Sequence, residues 1–175
     1  MNLLYIELKA HRSVVCYAVF SYDLSMASYR KNVAALIMNK AGKLLVCERK
    51  GQSGAWQFPQ GGVDKGEKLT DAFYREVKEE VGIDADMLVL VKFKGGYKYQ
   101  YTPEIQKKKD YSGQMQTYFL CRLAKGVSDD SVKLDNKEFK DYKWIDPCDF
   151  DIQWLPSFKR QVYDAVMWHF FGVKI

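Results

Sequence analysis

The amino-acid sequence predicts one domain of the α/β or α+β class. Strand patterns lie both before and after a central helix pattern, a second helix pattern closes the chain, and no internal repeat or linker separates them. The 175 residues suffice for one domain with a substantial core. Hydrophobic residues make up 47% and charged residues 28%, proportions that are typical of globular proteins and exclude wholesale disorder.

The first half of the chain reads as two strands, a short extended piece and a helix. Residues 33–38 and 44–47 are apolar runs separated by a turn sequence, which predicts strand, turn and strand. Residues 56–59 are short and extended. Residues 69–81 are rich in helix formers and contain no Gly or Pro, and Gly82 supplies the stop signal.

The second half adds four strands and the closing helix. Apolar or alternating runs predict strands over residues 88–93, 97–101, 117–123 and 142–145. Residues 155–171 read as an amphipathic helix. Its predicted apolar face comprises Phe158, Val162, Ala165, Val166 and His169, which recur at helical spacing.

The N-terminal segment differs from the rest of the chain. A few basic residues precede the apolar run of residues 14–20, but a signal peptide needs a small-residue cleavage site, and residues 20–23 are a poor one. We therefore predict a weakly ordered extension over residues 1–28, with Met26 as the natural first residue. The folded domain is expected over residues 29–175.

Composition limits the partners and the kind of metal site. The net charge of +5 favours anionic partners, although many soluble enzymes are equally basic. The longest apolar runs are far shorter than the roughly 18 residues that cross a bilayer, so we expect no membrane partner. The four cysteines show no CxxC spacing, which predicts isolated thiols in a reducing, cytoplasmic compartment. With only two histidines available, oxygen ligands must hold any divalent cation, which favours Mg²⁺ or Mn²⁺.

Three glutamates share one face of the predicted central helix. Glu76, Glu79 and Glu80 stand at i, i+3 and i+4, so at about 100° per residue their carboxylates fall within a third of the helix circumference. Like charges at this spacing cost about 0.2–0.5 kcal/mol per pair, which predicts either a compensating cation or a solvated acidic face. The apolar stripe next to this acidic face is expected to consist of Phe73, Val77 and Val81. The opposite, solvent side of the helix is expected to carry Asp71, Tyr74 and Lys78.

The loop before this helix favours the cation over the solvated face. Gly61 and Gly62 let backbone carbonyls approach a cation, and Glu67 adds a further carboxylate. Arg75 lies next to the acidic cluster and can hold one carboxylate through two parallel hydrogen bonds. The combination predicts a site for a divalent ion.

The same residues resemble the Nudix box, G-x5-E-x7-R-E-U-x-E-E-x-G-U, in which U is a bulky aliphatic residue. All nine fixed positions are filled, and nine matches at fixed spacing form a highly specific signal. The matching residues are Gly61, Glu67, Arg75, Glu76, Val77, Glu79, Glu80, Gly82 and Ile83.

The resemblance to Nudix hydrolases implies a fold and a reaction. The implied fold is of the α/β class, an α/β/α sandwich with a mixed β-sheet. The implied reaction is Mg²⁺-dependent hydrolysis of a phosphoanhydride by direct attack of water, with Mn²⁺ as a substitute ion. The implied metal ligands are Glu76, Glu79, Glu80 and Gly61, with Glu67 and Arg75 in support, and Glu79, Glu80 and Arg75 also count as implied catalytic residues.

Other segments resemble one subgroup of the family, the bacterial RNA pyrophosphohydrolases and the related asymmetric dinucleoside tetraphosphate hydrolases. The stretch WQFPQGG resembles theirs most clearly, whereas other segments match in part, with Lys31 in place of a usual proline. Together the segments span most of the domain. They lie at residues 29–33, 56–62, 113–119, 138–144 and 157–163.

Carried over position by position, the resemblance implies further site residues. Glu138 becomes an additional metal ligand or the general base for water, with an ordinary exposed loop glutamate as the alternative. Phe158 becomes a surface on which the terminal base stacks, or else a core residue of the last helix. The remaining implied substrate contacts are Arg30 and Arg49 for 5′ phosphates, Gln57, and Lys159 beside Phe158.

A lysine- and tyrosine-rich segment departs most from that subgroup. Basic residues interleaved with aromatic ones suit an RNA backbone and its bases. The alternative is a solvated loop between two strands, with the tyrosines packed on the sheet. The lysines are Lys92, Lys94, Lys98, Lys107, Lys108 and Lys109, and the tyrosines are Tyr97, Tyr99, Tyr101 and Tyr111.

The resemblance as a whole implies an RNA 5′-pyrophosphohydrolase, which converts 5′-triphosphate RNA to 5′-monophosphate RNA and so initiates messenger decay in bacteria. Asymmetric hydrolysis of diadenosine tetraphosphate, or of another dinucleoside polyphosphate, is the alternative within the same class. A non-catalytic, nucleotide-sensing Nudix module is a more remote alternative, because such modules typically lose box carboxylates and all are present here.

Overall fold

The computed structural model describes residues 28–135 and 137–175 of the chain. The predicted N-terminal extension and the proposed start at Met26 lie outside these residues, apart from Ser28. The described residues form seven strands and three α-helices. The strands are β1 (Tyr29–Met38), β2 (Leu44–Arg49), β3 (Trp56–Gln57), β4 (Gln60–Gly62), β5 (Leu88–Gln100), β6 (Gly113–Leu123) and β7 (Phe139–Ile145), and the helices are α1 (Leu69–Val81), α2 (Pro103–Gln106) and α3 (Ser157–Phe171).

All seven strands join one mixed sheet. The strand order is β3-β2-β1-β6-β5, with β4 also paired to β1 and β7 to β2. β1 runs parallel to β6 along its whole length, whereas the other pairings in this sheet are antiparallel. The predicted mixed sheet of an α/β protein is confirmed.

The central strand β1 shows why the sheet is covered on both faces. Successive side chains of a strand point to opposite faces. Val33, Ala35 and Ile37 are buried in one core cluster together with α1, and Ala34 and Leu36 are buried in a second cluster together with α3. The two helices therefore cover opposite faces, and the α/β/α sandwich is confirmed.

Stacked aromatic rings join each of these helices to the rest of the core. Phe73 of α1 stacks on Phe119 of β6, with ring centroids 4.6 Å apart. Tyr163 of α3 stacks on Phe58, which follows β3, at 5.1 Å. Such pairs contribute about 0.5–1.5 kcal/mol beyond their buried area. The first pair holds α1 against the sheet, and the second holds α3 against the segment between β3 and α1, where the candidate site lies.

Helix α1 begins and ends where the sequence predicts. Gly82 ends it in the left-handed region with φ of 69°, and the Gly82 N–H donates to the Lys78 carbonyl. A Cβ at Gly82 would lie 2.7 Å from the carbonyl oxygen of Lys133, so a close approach as well as the backbone conformation requires glycine here.

The faces of α1 agree with the sequence except at one residue. The predicted apolar stripe is buried. Tyr74 is expected on the solvent side but is half-buried, because its ring meets Phe73 edge-on with centroids 4.9 Å apart. The other two residues expected in solvent, Asp71 and Lys78, are exposed.

Several strands are longer than their sequence patterns predict. The patterns over residues 88–93 and 97–101 belong to one strand, β5, which continues through Gly95 and Gly96 with a register shift against β6. β1, β6 and β7 also begin earlier than predicted, because pairing to neighbouring strands extends them over residues whose own pattern is polar.

The closing helix α3 begins at Ser157, two residues later than predicted, and its buried face differs from the predicted one. Ala165 and His169 are exposed. The prediction was wrong there because larger side chains on the neighbouring helical positions fill the core. The buried residues of α3 are Lys159, Val162, Tyr163, Val166, Met167 and Phe170.

Three of the four cysteines lie in the described part of the chain. Cys47 and Cys121 are buried and Cys148 is exposed, all three as free thiols, while Cys16 lies outside the described residues. No helix within residues 28–135 and 137–175 combines the length and apolar character needed to span a membrane.

Candidate active site

Arg75 of α1 organises the acidic face of that helix. Its Nε and Nη2 donate to the two carboxylate oxygens of Glu67 at 2.8 and 2.9 Å, which forms a two-point ion pair. Nη1 donates to Glu76 at 2.8 Å and contacts Glu79 at 3.5 Å. Nη2 also donates to the Gly62 carbonyl at 2.9 Å. One guanidinium therefore ties Gly62 of β4 to the carboxylates.

The ion pair shifts the acidity of both of its members. The Arg75 guanidinium, helped by the Asp64 N–H that donates to Glu67 at 2.9 Å, lowers the pKa of Glu67 to about 2. Glu67 in turn raises the pKa of Arg75 above its ordinary value. Glu67 is therefore ionised at neutral pH and holds Arg75 in place.

Glu80 lies on the inner side of the same helix face and is buried. Its Oε2 accepts a hydrogen bond from the Gln60 N–H at 2.8 Å, while its Oε1 is buried without a hydrogen-bond partner among the described residues. Burial, together with the nearby Glu138 carboxylate, raises the pKa of Glu80 to about 10. An unpartnered buried oxygen costs about 1–3 kcal/mol, so this position suits a further binding partner.

Glu76 is packed directly against Gly61 of β4. A Cβ on Gly61 would lie 1.8 Å from Cδ of Glu76, so any side chain at this glycine would displace the carboxylate. Burial raises the pKa of Glu76, against the lowering effect of Arg75. The neighbouring carboxylates of Glu79 and Glu138 raise it further.

These carboxylates fit a divalent cation. Both Glu76 and Glu80 have pKa values raised by the Glu138 carboxylate, a repulsion that a cation would relieve. The unpartnered Oε1 of Glu80 is an oxygen ligand of the kind that Mg²⁺ prefers. No three acidic, histidine or cysteine side chains in the described part of the chain already converge as a ready-made metal site. Arg75 instead engages two of the carboxylates through its own hydrogen bonds.

A cleft of about 800 Å³ opens beside the acidic face. It brings together eight of the twelve site residues that the sequence predicts. The other four lie on α1 or in the loop before it. Hydrogen bonds join them, directly or through Arg75, to the lining residues Glu76, Gly62 and Gln60. The eight residues that line the cleft are Arg30, Arg49, Gln57, Gly61, Glu76, Glu138, Phe158 and Lys159, and the four behind or beside it are Glu67, Arg75, Glu79 and Glu80.

Two arginines bring positive charge into the cleft. The Arg30 guanidinium lies against Gly62, because a Cβ there would come within 2.0 Å of its Nη2. Nη2 of Arg49 is 3.7 Å from a carboxylate oxygen of Glu138, and Nε of Arg49 is buried without a partner in the described structure. Gly61 and Gly62, which the sequence places in a loop, belong to β4. Since they are consecutive, an acidic and a basic side chain lie against adjacent residues of this strand.

Lys159 of α3 is a buried cation in the same cleft. Its Nζ donates to Oε1 of Gln57 at 3.2 Å and lies 5.7 Å from the centre of the Tyr99 ring. Burial, with the nearby charge of Arg49, lowers the pKa of Lys159 to about 8. Gln57 is buried as well, and its Nε2 has no partner among the described residues. Gln57 therefore retains a hydrogen-bond donor for a ligand.

Phe158 occupies a position that fits both of the roles that the sequence leaves open. It is half-buried against the core beneath α3, and it also lines the cleft. Its ring lies 5.6 Å from Tyr99 and 6.1 Å from Tyr101, measured between centroids. Both tyrosines line the cleft too. The sequence placed them in the lysine- and tyrosine-rich segment that suits RNA, but not among the twelve predicted site residues. Their alternating positions at the end of β5 were the signal that could have found them.

A buried polar network that the sequence does not reveal supports β4. Nε2 of Gln116 donates to Asn32 at 2.8 Å and to Gln60 at 2.6 Å, and its Oε1 accepts from the Tyr118 hydroxyl at 2.7 Å. Asn32 and Gln116 are buried in the parallel pairing of β1 with β6. The network positions Gln60, whose backbone holds Glu80. The partial match of residues 113–119 to the subgroup was the sequence signal that could have pointed to Gln116.

Comparison with known proteins agrees with this arrangement. The NUDIX domain family matches residues 28–166. The chain is 34% identical over 148 residues to the RNA pyrophosphohydrolase of Campylobacter jejuni subsp. jejuni serotype O:23/36 (strain 81-176), which covers 82% of this chain and 93% of the relative. It is 38% identical over 149 residues to the RNA pyrophosphohydrolase of a Nitratiruptor species, which covers 81% and 93%.

Solved structures share the fold. The E. coli dihydroneopterin triphosphate pyrophosphohydrolase matches with a TM-score of 0.60 at 22% sequence identity, over 81% of this chain and 99% of that chain. This likeness concerns the fold alone. The family match extends over most of the chain, and the curated relatives match over most of both lengths. The chain therefore belongs to the NUDIX domain family.

Proposed function

We propose that the chain is an RNA 5′-pyrophosphohydrolase that uses Mg²⁺, with Mn²⁺ as a substitute. It releases pyrophosphate from 5′-triphosphate RNA and leaves a 5′-monophosphate. Two relatives that carry the name RNA pyrophosphohydrolase support this substrate, at 34% and 38% identity. The complete set of box carboxylates supports a hydrolase over a nucleotide sensor. In this proposal the catalytic domain is residues 29–175 and acts in the cytoplasm on messenger RNA.

The observation that carries the proposal is the mixture of charges in one cleft. Glu76 and Arg30 lie against consecutive glycines, and Nη2 of Arg49 lies 3.7 Å from a carboxylate oxygen of Glu138 on the same lining. A triphosphate needs this mixture, because cationic side chains bind its outer oxygens while carboxylates hold a divalent ion beside the anhydride. A purely basic cleft would bind RNA but offer no ligands for the ion.

The hydrolytic step uses the acidic residues of the cleft and of α1. Glu76, Glu79 and Glu80, with the carbonyl of Gly61, would hold Mg²⁺, which when bound supplies charge neutralisation and polarisation of the anhydride. Glu138 accepts the proton of the attacking water. As the new phosphorus–oxygen bond forms, the anhydride bond breaks and pyrophosphate leaves.

Arg75 and Glu67 act as positioning residues in this scheme. Neither lines the cleft, and their two-point ion pair orients the Arg75 guanidinium toward Glu76 and Glu79. A fixed guanidinium keeps these carboxylates on one side of the helix in spite of their mutual repulsion.

The 5′ end is recognised by the remaining lining residues. Arg30 and Arg49 bind phosphate oxygens, for which a planar guanidinium is well shaped. Phe158 provides a ring face for the terminal base, and aromatic faces are the usual surfaces on which single-stranded RNA bases stack. Lys159 and Gln57 contribute hydrogen-bond donors beside that ring.

A direct comparison of substrates tests the proposal. We would measure kcat/KM for 5′-triphosphate RNA and for diadenosine tetraphosphate with the same protein preparation, and identify the products. The expected result is a preference for RNA, with pyrophosphate and 5′-monophosphate RNA as products. A preference of about a hundredfold or more for the dinucleotide, equivalent to about 2.7 kcal/mol, would instead establish the alternative hydrolase.

A further inference from the structure

We infer that the RNA chain leaves the active site along a second, basic cleft beside α2. This inference rests on the proposed function and adds the path of the nucleotides that follow the 5′ end. The second cleft has a volume of about 520 Å³. It adjoins the first, because Arg30, Tyr101, Lys109 and Gln114 line both. A strand of RNA whose 5′ phosphates occupy the first cleft can therefore continue directly into the second.

The structure separates the lysines of the lysine- and tyrosine-rich segment into different groups. Lys92 and Lys94 contact the C-terminal part of α3. Nζ of Lys92 lies 5.0 Å from the centre of the Phe170 ring, and Nζ of Lys94 lies 3.3 Å from Nδ1 of His169. Lys108 and Lys109 line the second cleft. Of these four lysines, the latter two are therefore placed to meet RNA that emerges from the active site.

An ordered turn presents the lysines of the second cleft. Gln106 Nε2 donates to the Tyr101 carbonyl at 2.7 Å, and the Tyr101 N–H donates to the Ser112 carbonyl at 2.9 Å, so both ends of the loop are tied together. The residues after α2 continue its hydrogen bonding. The N–H groups of Lys107, Lys108 and Lys109 donate to the carbonyls of Pro103, Ile105 and Gln106 at 3.1, 3.0 and 3.2 Å.

The chemistry of the second cleft suits single-stranded RNA. Arg30, Lys108 and Lys109 outweigh the one carboxylate on its lining, Asp110. Neither of these lysines forms an ion pair with another residue of the described ranges. Tyr111 is 42% exposed and lines the same cleft. Cations that bind phosphates, next to an aromatic face that stacks bases, are the two components of single-strand binding.

The expected effect of one lysine follows from counterion release. For single strands, each neutralised phosphate contributes about 0.7 to the slope of log affinity against log salt. At about 0.1 M salt, the loss of one such contact therefore weakens binding about fivefold. On this path the second cleft holds the nucleotides that follow the first two, so hydrolysis of a substrate of only two nucleotides should be insensitive to the change.

Lys108→Gln is the test, because Lys108 lines the second cleft and not the first. Lys125→Gln is the matched control. Lys125 is also exposed, but it lies just beyond the C-terminal end of β6, whereas Gly113 begins that strand at its other end. Fluorescence anisotropy would measure binding of a 5′-monophosphate RNA of about ten nucleotides at two salt concentrations. We expect Lys108→Gln to weaken binding about fivefold at about 0.1 M salt and to reduce the salt slope by about 0.7. Lys125→Gln should change neither.

Turnover in the same preparations distinguishes this inference from the proposed function. Hydrolysis of a triphosphorylated dinucleotide should be equal in wild type and Lys108→Gln. The proposed path would be overturned if wild type and Lys108→Gln bound the RNA equally, or if Lys108→Gln and Lys125→Gln lost the same RNA affinity. It would also be overturned if Lys108→Gln lowered hydrolysis of the dinucleotide as much as it lowered RNA binding. If the wild type hydrolyses no triphosphorylated RNA but Lys108→Gln still weakens binding selectively, the proposed function fails and the RNA path stands.

Discussion

Replacement of Glu80 by glutamine separates a metal-binding role from a structural one. Glu80 is 5% exposed, and its Oε2 accepts the Gln60 N–H at 2.8 Å, a hydrogen bond that a glutamine carbonyl can also accept. Because burial and nearby carboxylates raise the pKa of Glu80 to about 10, the side chain without a cation is neutral at pH 7, as an amide is. We therefore expect Glu80→Gln to change the free energy of unfolding of the metal-free protein by less than about 1 kcal/mol.

The presence of Mg²⁺ should separate the two proteins. An ion at about 100 times its Kd stabilises the folded state by about 2.7 kcal/mol. At about 2–4 °C per kcal/mol for a domain of this size, the wild-type Tm should rise by about 5–10 °C. Glutamine offers one neutral oxygen in place of a carboxylate, so the rise should shrink to less than about a third, and kcat should fall about a hundredfold or more.

Thermal unfolding followed by circular dichroism, in EDTA and in millimolar Mg²⁺, measures both effects. Asp71→Asn serves as the control, because it removes an exposed carboxylate from the same helix away from the cleft. A full Mg²⁺ shift in Glu80→Gln would refute the assignment of Glu80 as a ligand. A fall of more than about 10 °C in its metal-free Tm would show instead that the carboxylate is structural.

Three further predictions concern the cleft and the ion pair behind it. Gly62→Ala places a Cβ 2.0 Å from Nη2 of Arg30, so steady-state kinetics should show a KM for RNA about tenfold higher, as expected for one lost charge-assisted contact. Phe158→Ala should raise that KM about 5- to 150-fold, since one stacked base contributes about 1–3 kcal/mol, whereas a purely structural role would lower Tm and leave KM unchanged. The Arg75 guanidinium lowers the pKa of Glu67 from 4.5 to about 2, so the stability from their ion pair is complete above pH 4.5 and is lost as the pH falls through 2. Urea unfolding of Glu67→Gln should therefore depend less on pH across this interval than that of the wild type.

The parts of the fold and site that local sequence determines could be predicted. The bounds of α1 follow from a run of helix formers and from Gly82, whose positive φ and contact with Lys133 leave glycine as the residue that fits. The shared face of Glu76, Glu79 and Glu80 follows from helical spacing alone. Their individual environments do not, because burial separates Glu80 from the exposed Glu79 only once the sheet is in place.

The remaining features depend on contacts between residues far apart in the chain. Gln116 binds Asn32 and Gln60, which precede it by 84 and 56 residues, and polar side chains in strands resemble exposed positions until their partners are known. The ring of Phe158 lies beside the tyrosines at the end of β5, so its contact with both the core and the cleft cannot be recognised from the residue pattern of α3. Likewise, β5 is one continuous strand because it pairs with β6 on both sides of its two internal glycines.

Pyrophosphate release from 5′-triphosphate RNA, measured with and without EDTA, tests the central claim most directly. With label in the β-phosphate, we predict labelled pyrophosphate and 5′-monophosphate RNA in millimolar Mg²⁺, no release in EDTA, and recovery when Mg²⁺ is restored in excess. Release that persists unchanged in EDTA would contradict the role of the acidic face, and an absence of pyrophosphate from every triphosphorylated RNA tried would contradict the proposed reaction.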